Sequence, residues 1–159
     1  MFITLNILLI SVLAIILYQD MMRRTIHAIL PLGVLLVSIA INLISNNYSL
    51  YQALYNLCFI AINILGITLY FSLKYKTLVN PIDSFIGMGD IAFFIAITPL
   101  FNLKPFILFF IIGLLFSLLV HCALHLFRKT KTIPLAGYLS LFLAITIIAD
   151  NILEVNITL

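Results

Sequence analysis

Two aspartates stand beside long apolar runs in this sequence, where a carboxyl group is expensive to bury. Asp20 closes the first apolar run, and Asp90 ends the stretch Gly87-Met88-Gly89-Asp90 at the start of a later one. An ionisable residue in or beside a membrane segment is by default a functional residue. Two carboxyls held close together share one proton, because both cannot be charged at once. Such a pair can act as base on a water molecule and as acid on a carbonyl group.

The elements that position these aspartates are predicted to be membrane helices. The chain of 159 residues is 65% hydrophobic and 8% charged, with a mean hydropathy of +1.30. A soluble domain is about half apolar and about a quarter charged. The apolar runs are continuous rather than alternating, which favours helices over barrel strands. We therefore predict one all-α integral-membrane domain over residues 1–159, with about six transmembrane helices at residues 2–19, 26–45, 51–73, 85–101, 105–127 and 133–149.

The basic residues predict the orientation of these helices. Seven of the eight Lys and Arg residues follow the first, third and fifth runs, and Lys104 alone lies on the opposite side. Basic loops face the cytoplasm, so both termini are expected outside. This orientation places Asp20 and Asp90 at the same depth near the cytoplasmic face. The net charge of +3 is thereby explained by topology, and no nucleic-acid partner is predicted.

The glycines beside Asp90 add a second argument. Gly87 and Gly89 are expected to permit backbone conformations closed to other residues, and to let a substrate strand approach. Asp90 is expected in the first turn of the following helix, where backbone N–H groups favour an anion. These features predict an aspartyl-protease pair. Two simpler interpretations stay open: Asp90 caps a helix, and Asp20 is an interfacial charge paired with a nearby arginine.

Three stretches of the sequence resemble the type IV prepilin peptidases, a family of membrane aspartyl proteases. Tyr-Gln-Asp-Met-Met-Arg-Arg at 18–24 is similar to the family's first aspartate and the basic residues after it. Gly-Met-Gly-Asp at 87–90 resembles its second aspartate motif. Thr-Ile-Pro-Leu-Ala-Gly-Tyr at 132–138 is similar to the proline-containing entry into the last helix. The resemblance covers nearly the whole chain.

The resemblance implies cleavage of the leader peptide of prepilin-like precursors at the cytoplasmic face of the bacterial inner membrane. Its catalytic pair would be Asp20 and Asp90, and its partners the precursor and the membrane lipid. The methyltransferase region of the bifunctional members is absent, so a minimal peptidase-only form is expected. The residues expected to bind substrate or shape the site are Gly87, Met88, Gly89, Arg23, Arg24 and Pro134.

The chain departs from the family pattern at two places, and both bear on substrate preference. Many members follow the first aspartate with Ile-Pro-Asn, where this chain has Ile26-His27-Ala28, and many have a lysine where this chain has Ala92. Two other classes of function remain open. A proton-coupled transporter would use the same aspartates to relay protons, and a non-enzymatic assembly subunit would tolerate their replacement.

No metal or cofactor is predicted. His121 and His125 share one helix face, but a zinc site needs at least a third protein ligand. Cys58 and Cys122 lie within apolar runs and form no Cys-x-x-Cys pair, so they are expected to be small apolar packing residues.

Overall fold

The computed structural model describes residues 2–44, 50–76, 86–125 and 133–153. The fold is all-helical, as the sequence predicts. The described residues form six α-helices and one 3-10 turn (Thr98–Leu100), the helices being α1 (Phe2–Arg23), α2 (Ile29–Ile44), α3 (Leu50–Tyr75), α4 (Met88–Ile97), α5 (Leu103–His125) and α6 (Leu135–Leu153). The basic residues at 128, 129 and 131, and residue 132, lie outside the described ranges.

Three of these helices are long and apolar enough to cross a membrane. The segments concerned are Ile3–Arg23, Leu50–Tyr75 and Leu103–Leu124. The other apolar helices within the described ranges are shorter, at Ile29–Ile44, Met88–Leu100 and Leu135–Asn151. The fold thus alternates long and short apolar helices along the chain.

Helices α1 and α6 pack against each other along most of their length and run antiparallel. Near one end, the amide of Asn6 donates a hydrogen bond to the side-chain oxygen of Asn151 (3.2 Å). Fourteen residues further along α1, the carboxyl of Asp20 meets Gly137, which lies fourteen residues back along α6. The two contacts therefore fix the same register between the helices, and they lie about 21 Å apart along the helix axis at 1.5 Å per residue.

Helical spacing explains which residues of α1 and α6 face inward. In α1, Leu9, Leu13 and Ile16 are fully buried or nearly so, and Asp20 continues the same stripe one turn later. In α6, the corresponding stripe is Ala136, Leu139, Leu143 and Ile147. Although the apolar run ends at residue 19, α1 continues to Arg23. A charged residue ends an apolar run in the sequence, but it does not end a helix.

Helix α4 stops inside the bundle, earlier than the predicted span at residues 85–101. Pro99 has no backbone N–H to continue the helix, so the chain tightens into the 3-10 turn after Ile97. The carbonyl groups released there are buried, and side chains from two other helices cover them. Asn56 of α3 donates to the carbonyls of Thr98 (3.0 Å) and Phe101 (2.7 Å), and Asn42 of α2 donates to that of Pro99.

Candidate active site

Asp20 occupies a buried position on the inner face of α1. Its side chain is only 6% exposed, and it lies one turn beyond Ile16 on the apolar stripe that packs against α6. The helix ends soon after it, because Arg24 adopts a left-handed backbone conformation (φ 56°) and donates its N–H to the Asp20 carbonyl (3.2 Å). This is a common way to finish a helix, although glycine is the usual residue. The tertiary packing of α1 therefore turns the Asp20 carboxyl into the bundle.

Asp90 lies in the first turn of α4, as the sequence predicts. Gly87 is the residue that precedes the helix, and its carbonyl accepts the N–H of Asp90 (3.0 Å). The side chain of Asp90 is partly buried and stands one turn before the buried residues Phe93 and Phe94. The backbone N–H of Gly87 is a further donor to its carboxylate. Helix α4 therefore points its first-turn carboxyl toward the core rather than toward an exposed cap position.

The two carboxyls meet at the first turn of α6. The N–H of Ala136 donates to Oδ1 of Asp90 (2.8 Å), and the N–H of Gly137 donates to Oδ2 of Asp20 (2.7 Å). Because Ala136 and Gly137 are consecutive residues, the two carboxyl groups are held side by side. They come from positions 70 residues apart in the sequence, on α1 and α4, and a third helix joins them.

These contacts account for the donors that a helix start leaves without partners. Pro134 has no N–H, and the N–H of Leu135 bonds to the carbonyl of Ile133 (3.0 Å). Ala136 and Gly137 donate to the two aspartates, and Tyr138 makes the first bond of the helix proper, to Pro134 (3.1 Å). The positive end of the α6 dipole adds to the attraction for negative charge. The start of α6 is therefore a built anion site, and the aspartates fill it.

The electrostatics of the site tie the aspartates to each other and to one cation. The charge of Asp20 acts on Asp90, as expected of neighbouring carboxyls. The guanidinium of Arg24 attracts Asp20 and also acts on the hydroxyl of Tyr138, which follows Gly137 in α6. Tyr138 is buried, and its ring lies 6.5 Å from the ring of His121 on α5. Arg24 and Tyr138 are thus polar groups coupled to Asp20.

The glycines of the Gly-Met-Gly-Asp stretch matter because they leave room for neighbouring side chains, not because they adopt unusual backbone angles. The expectation that they adopt conformations closed to other residues is wrong: Gly87 has φ −67° and ψ 139°, and no glycine of the described residues has a positive φ. A Cβ at Gly87 would lie 3.2 Å from Oδ2 of Asp90, and one at Gly89 would lie 3.2 Å from the side chain of Ile26. The missing side chains leave room for the carboxyl and for close packing of α4.

The remaining residues predicted for the site surround the pair less closely. Pro134 is buried and directly precedes α6. Met88, the first residue of α4, and Arg23, the last residue of α1, are both exposed. Arg24 is exposed as well, but its charge reaches Asp20. Among the described residues, no three His, Cys, Asp or Glu side chains come together in a way that would hold a metal ion.

Two residues that sequence reasoning did not single out complete the site, and they are Ala136 and Gly137. Both act through backbone N–H groups, which no motif of side chains records. The available signal was a helix start at Pro134, because the first-turn N–H groups of any helix need acceptors from elsewhere. A buried aspartate on another helix is the acceptor that an apolar bundle can offer.

The described residues define an all-helical protein, with helices of membrane-spanning length, that holds a pair of carboxyls at one helix start. Comparison of the chain with known protein families, curated proteins and solved structures finds no match. The arrangement can hold one proton between two acids and keep both fixed in direction. A pair of this kind has the groups that acid–base catalysis on a water molecule would need.

Proposed function

We propose that this chain is an intramembrane aspartyl endopeptidase that removes the leader peptide of prepilin-like precursors, with Asp20 and Asp90 as its catalytic pair. The observation that carries the proposal is the meeting of the two carboxyls at consecutive N–H groups of α6. The resemblance of the three stretches at 18–24, 87–90 and 132–138 to the prepilin peptidases supports the choice of substrate. The first two of these stretches contain the aspartates, and the third contains the N–H groups that hold them.

The proposed reaction needs one proton shared by the two acids. The ionised carboxyl takes a proton from a water molecule while the water oxygen attacks the carbon of the scissile peptide bond. The protonated carboxyl gives its proton to the carbonyl oxygen, which yields a tetrahedral diol. The diol then collapses: the protonated carboxyl gives its proton to the leaving nitrogen and the C–N bond breaks. One diol hydroxyl gives its proton to the ionised carboxyl as it becomes the new carbonyl, so the pair again holds a single proton. No bond forms between protein and substrate.

The N–H groups of α6 have a defined part in this chemistry. Each fixes the direction of one carboxyl through a single oxygen, Oδ1 of Asp90 and Oδ2 of Asp20. The second oxygen of each carboxyl is then the one that holds the shared proton or the attacking water. Groups fixed before the reaction lower the barrier, because they need not be ordered during it.

In this proposal all six helices cross the bacterial cytoplasmic membrane, with both termini outside and the pair toward the cytoplasm. Four exposed basic residues support this orientation, because they lie in the last turns of α1 and α3 or directly after them, on the side that leads into α2 and α4: Arg23, Arg24, Lys74 and Lys76. The short helices α2 and α4 are well buried, whereas α3 buries only Asn56 and Ile60. Short helices can cross a membrane in such a bundle, because protein rather than lipid surrounds their ends.

Replacement of each aspartate by asparagine tests the proposal. Asparagine keeps an oxygen that accepts the N–H of Ala136 or Gly137, so the bundle is expected to fold, but it cannot carry the shared proton. Asp20→Asn and Asp90→Asn are each expected to lower the cleavage rate of a co-expressed pilin-like precursor by about 10³-fold or more. Intact-mass measurement of the precursor detects the loss of the leader. Asp150→Asn is the matched control, because this acid lies near the opposite end of α6 and is expected to leave cleavage unchanged.

The outcomes separate three classes of function. Cleavage that persists in both site variants would overturn the assignment of the catalytic pair. If the unaltered chain cleaves none of a panel of pilin-like precursors, but drives proton-coupled uptake that both site variants lose, the protein is a carrier. If both variants support every function of the unaltered chain, the aspartates are structural.

A further inference from the structure

One residue of the α6 first turn touches the pair with its backbone alone, and it has no side chain. Gly137 donates its N–H to Oδ2 of Asp20 at 2.7 Å. A Cβ at this position would lie 3.1 Å from the same oxygen and 3.2 Å from Cβ of Asp20. Contacts of this length are tighter than van der Waals contacts normally allow. The hydrogen bond and the room for it are therefore provided by the same residue.

The Asp20 side chain has little freedom to avoid such a Cβ. Its own Cβ, which would be one of the contacts, is fixed to the backbone of α1, and α1 packs against α6 along most of its length. The carboxyl is buried, with 6% of the residue exposed. An added methyl group would have to push the carboxyl, or the α1 backbone, away from the start of α6. Asp90 would not follow, because a different residue, Ala136, holds it.

We propose that Gly137 is a positioning residue of the carboxyl pair, which sets the spacing between Asp20 and Asp90 by allowing Asp20 to approach α6 to hydrogen-bond distance. This inference rests on the proposed function and adds a requirement to it. The spacing of the pair depends on a residue with no functional side chain, on a helix that carries neither acid. The absence of a side chain at 137 is the feature that matters.

If Gly137 were an ordinary helical glycine with no positioning role, the effect of replacing it would be the opposite. Alanine favours helices over glycine, so Gly137→Ala on an unconstrained helix would stabilise the protein and leave its activity unchanged. If Gly137 positions Asp20, the same substitution lowers the rate of the chemical step, because a displaced catalytic group loses its alignment. Activity and stability therefore respond differently under the two explanations.

The experiment is a graded series at this position, measured on the full-length protein in detergent or lipid with a cleavable pilin-like precursor. Gly137→Ala is expected to lower kcat about 10-fold and Gly137→Val about 100-fold, with KM changed less than 3-fold in both. The pH profile of kcat is also expected to shift in at least one limb, because the group that holds Asp20 has moved. If the tight contact at Gly137 mattered only for helix packing, the variants would lower the amount of folded protein without moving the pH profile of kcat.

Two other glycines provide matched controls. A Cβ at Gly113 of α5 would lie 2.7 Å from Cδ2 of Leu139, a tighter contact than at Gly137 but with an apolar side chain of α6. Gly113→Ala is expected to lower thermal stability while kcat per folded molecule stays within 2-fold of the original. A Cβ at Gly66 of α3 would have no neighbour within 4 Å, so Gly66→Ala is expected to raise thermal stability slightly and to keep kcat unchanged.

The result has a clear reading in each case. If the unaltered chain cleaves the precursor, and Gly137→Ala and Gly137→Val keep its kcat and its pH profile, the positioning role is wrong and the proposed function stands. If Gly113→Ala lowers kcat per folded molecule as much as Gly137→Ala, the effect comes from the α5–α6 packing and the inference also fails. If the unaltered chain cleaves no precursor but Asp20→Asn and Asp90→Asn remain folded, the failure belongs to the proposed function.

Discussion

Two helix ends are buried in this bundle, and other helices cover each of them with opposite chemistry. At the start of α6, backbone N–H groups meet the carboxyls of Asp20 and Asp90. At the end of α4, backbone carbonyls meet the amide groups of Asn42 and Asn56. The two places lie about 12 Å apart along α4, given 1.5 Å per residue between positions 90 and 98. We call them the carboxylate end and the asparagine cluster.

The comparison shows which polar side chains are more than the buried backbone groups require as hydrogen-bond partners. Buried N–H and carbonyl groups must find partners, and neutral side chains are the inexpensive way to provide them. The asparagine cluster uses neutral amides, and one of them covers two carbonyls. The carboxylate end uses two acids where serine or asparagine oxygens would cap the helix as well. The use of two ionisable groups, one buried and one partly buried, where neutral ones suffice is the argument for chemistry at that end.

Placing a carboxyl in the asparagine cluster gives the largest expected effect on stability. Asn56→Asp keeps the shape of the side chain but removes the N–H groups that bond to Thr98 and Phe101, and it turns an acid toward their carbonyl oxygens. The side chain is fully buried. We expect the free energy of unfolding to fall by about 3 kcal/mol or more, because buried acceptors lose their donors. Reversible unfolding in mixed micelles measures this change.

The matched control lies two turns further along the same helix. Asn63 is partly buried, and its amide bonds to the carbonyl of Phe59 on its own helix (2.8 Å). Asn63→Asp is expected to cost less than about 1 kcal/mol, since that carbonyl already belongs to the regular helix. An equal loss in both variants would show that charge within the bundle, rather than the covered helix end, governs stability. Activity per folded molecule is expected to be unchanged in each.

A smaller effect is expected at the second member of the asparagine cluster. Asn42→Ala removes the donor to the carbonyl of Pro99, whereas Asn56 donates to the carbonyls of both Thr98 and Phe101. We expect a loss of about 1–2 kcal/mol in the free energy of unfolding. Because Pro99 shares one turn with Thr98 and Phe101, the variant is also expected to couple with Asn56→Ala in a double-mutant cycle. Wild-type stability in Asn42→Ala would contradict the role given to this cluster.

The fold could be predicted from the sequence to within a few residues at most helix ends. Apolar runs of membrane length predict helices because the backbone must bond to itself where water is absent. The prediction fails where a local feature and the apolar run disagree. Pro99 is apolar enough to belong to the run, yet it ends α4 at Ile97. Asp20 is too polar for the run, yet α1 passes through it to Arg23.

The site could be predicted in its acids but not in its donors. Asp20 and Asp90 could be singled out because a carboxyl beside an apolar run is costly to bury, and the structure brings both to the start of α6. The role of Ala136 and Gly137 in holding them could not be predicted. Backbone N–H groups carry no residue-specific signal, and their acceptors come from tertiary packing. The role of the glycines was misassigned for a related reason: space between helices is not recorded in the local sequence.

The smallest expected effect is that of a substitution at the carboxylate end, Gly89→Ala. Gly89 directly precedes Asp90, and a Cβ there would lie 3.2–3.5 Å from three atoms of Ile26, in the segment between α1 and α2. Alanine favours the helix by about 0.5–1 kcal/mol, and crowding against Ile26 offsets that gain. We therefore expect the free energy of unfolding of Gly89→Ala to stay within about 1 kcal/mol of the original.

Activity is the quantity that separates this glycine from one with open space. In Gly89→Ala the first turn of α4 must move by a few tenths of an ångström, and Asp90 moves with it. We expect kcat to fall about 3-fold, because alignment of the pair is lost in part. Gly66→Ala, which meets no neighbour within 4 Å, is expected to keep its kcat. Equal kcat values for the two variants would mean that the carboxylate end tolerates small displacements as readily as an exposed helix surface does.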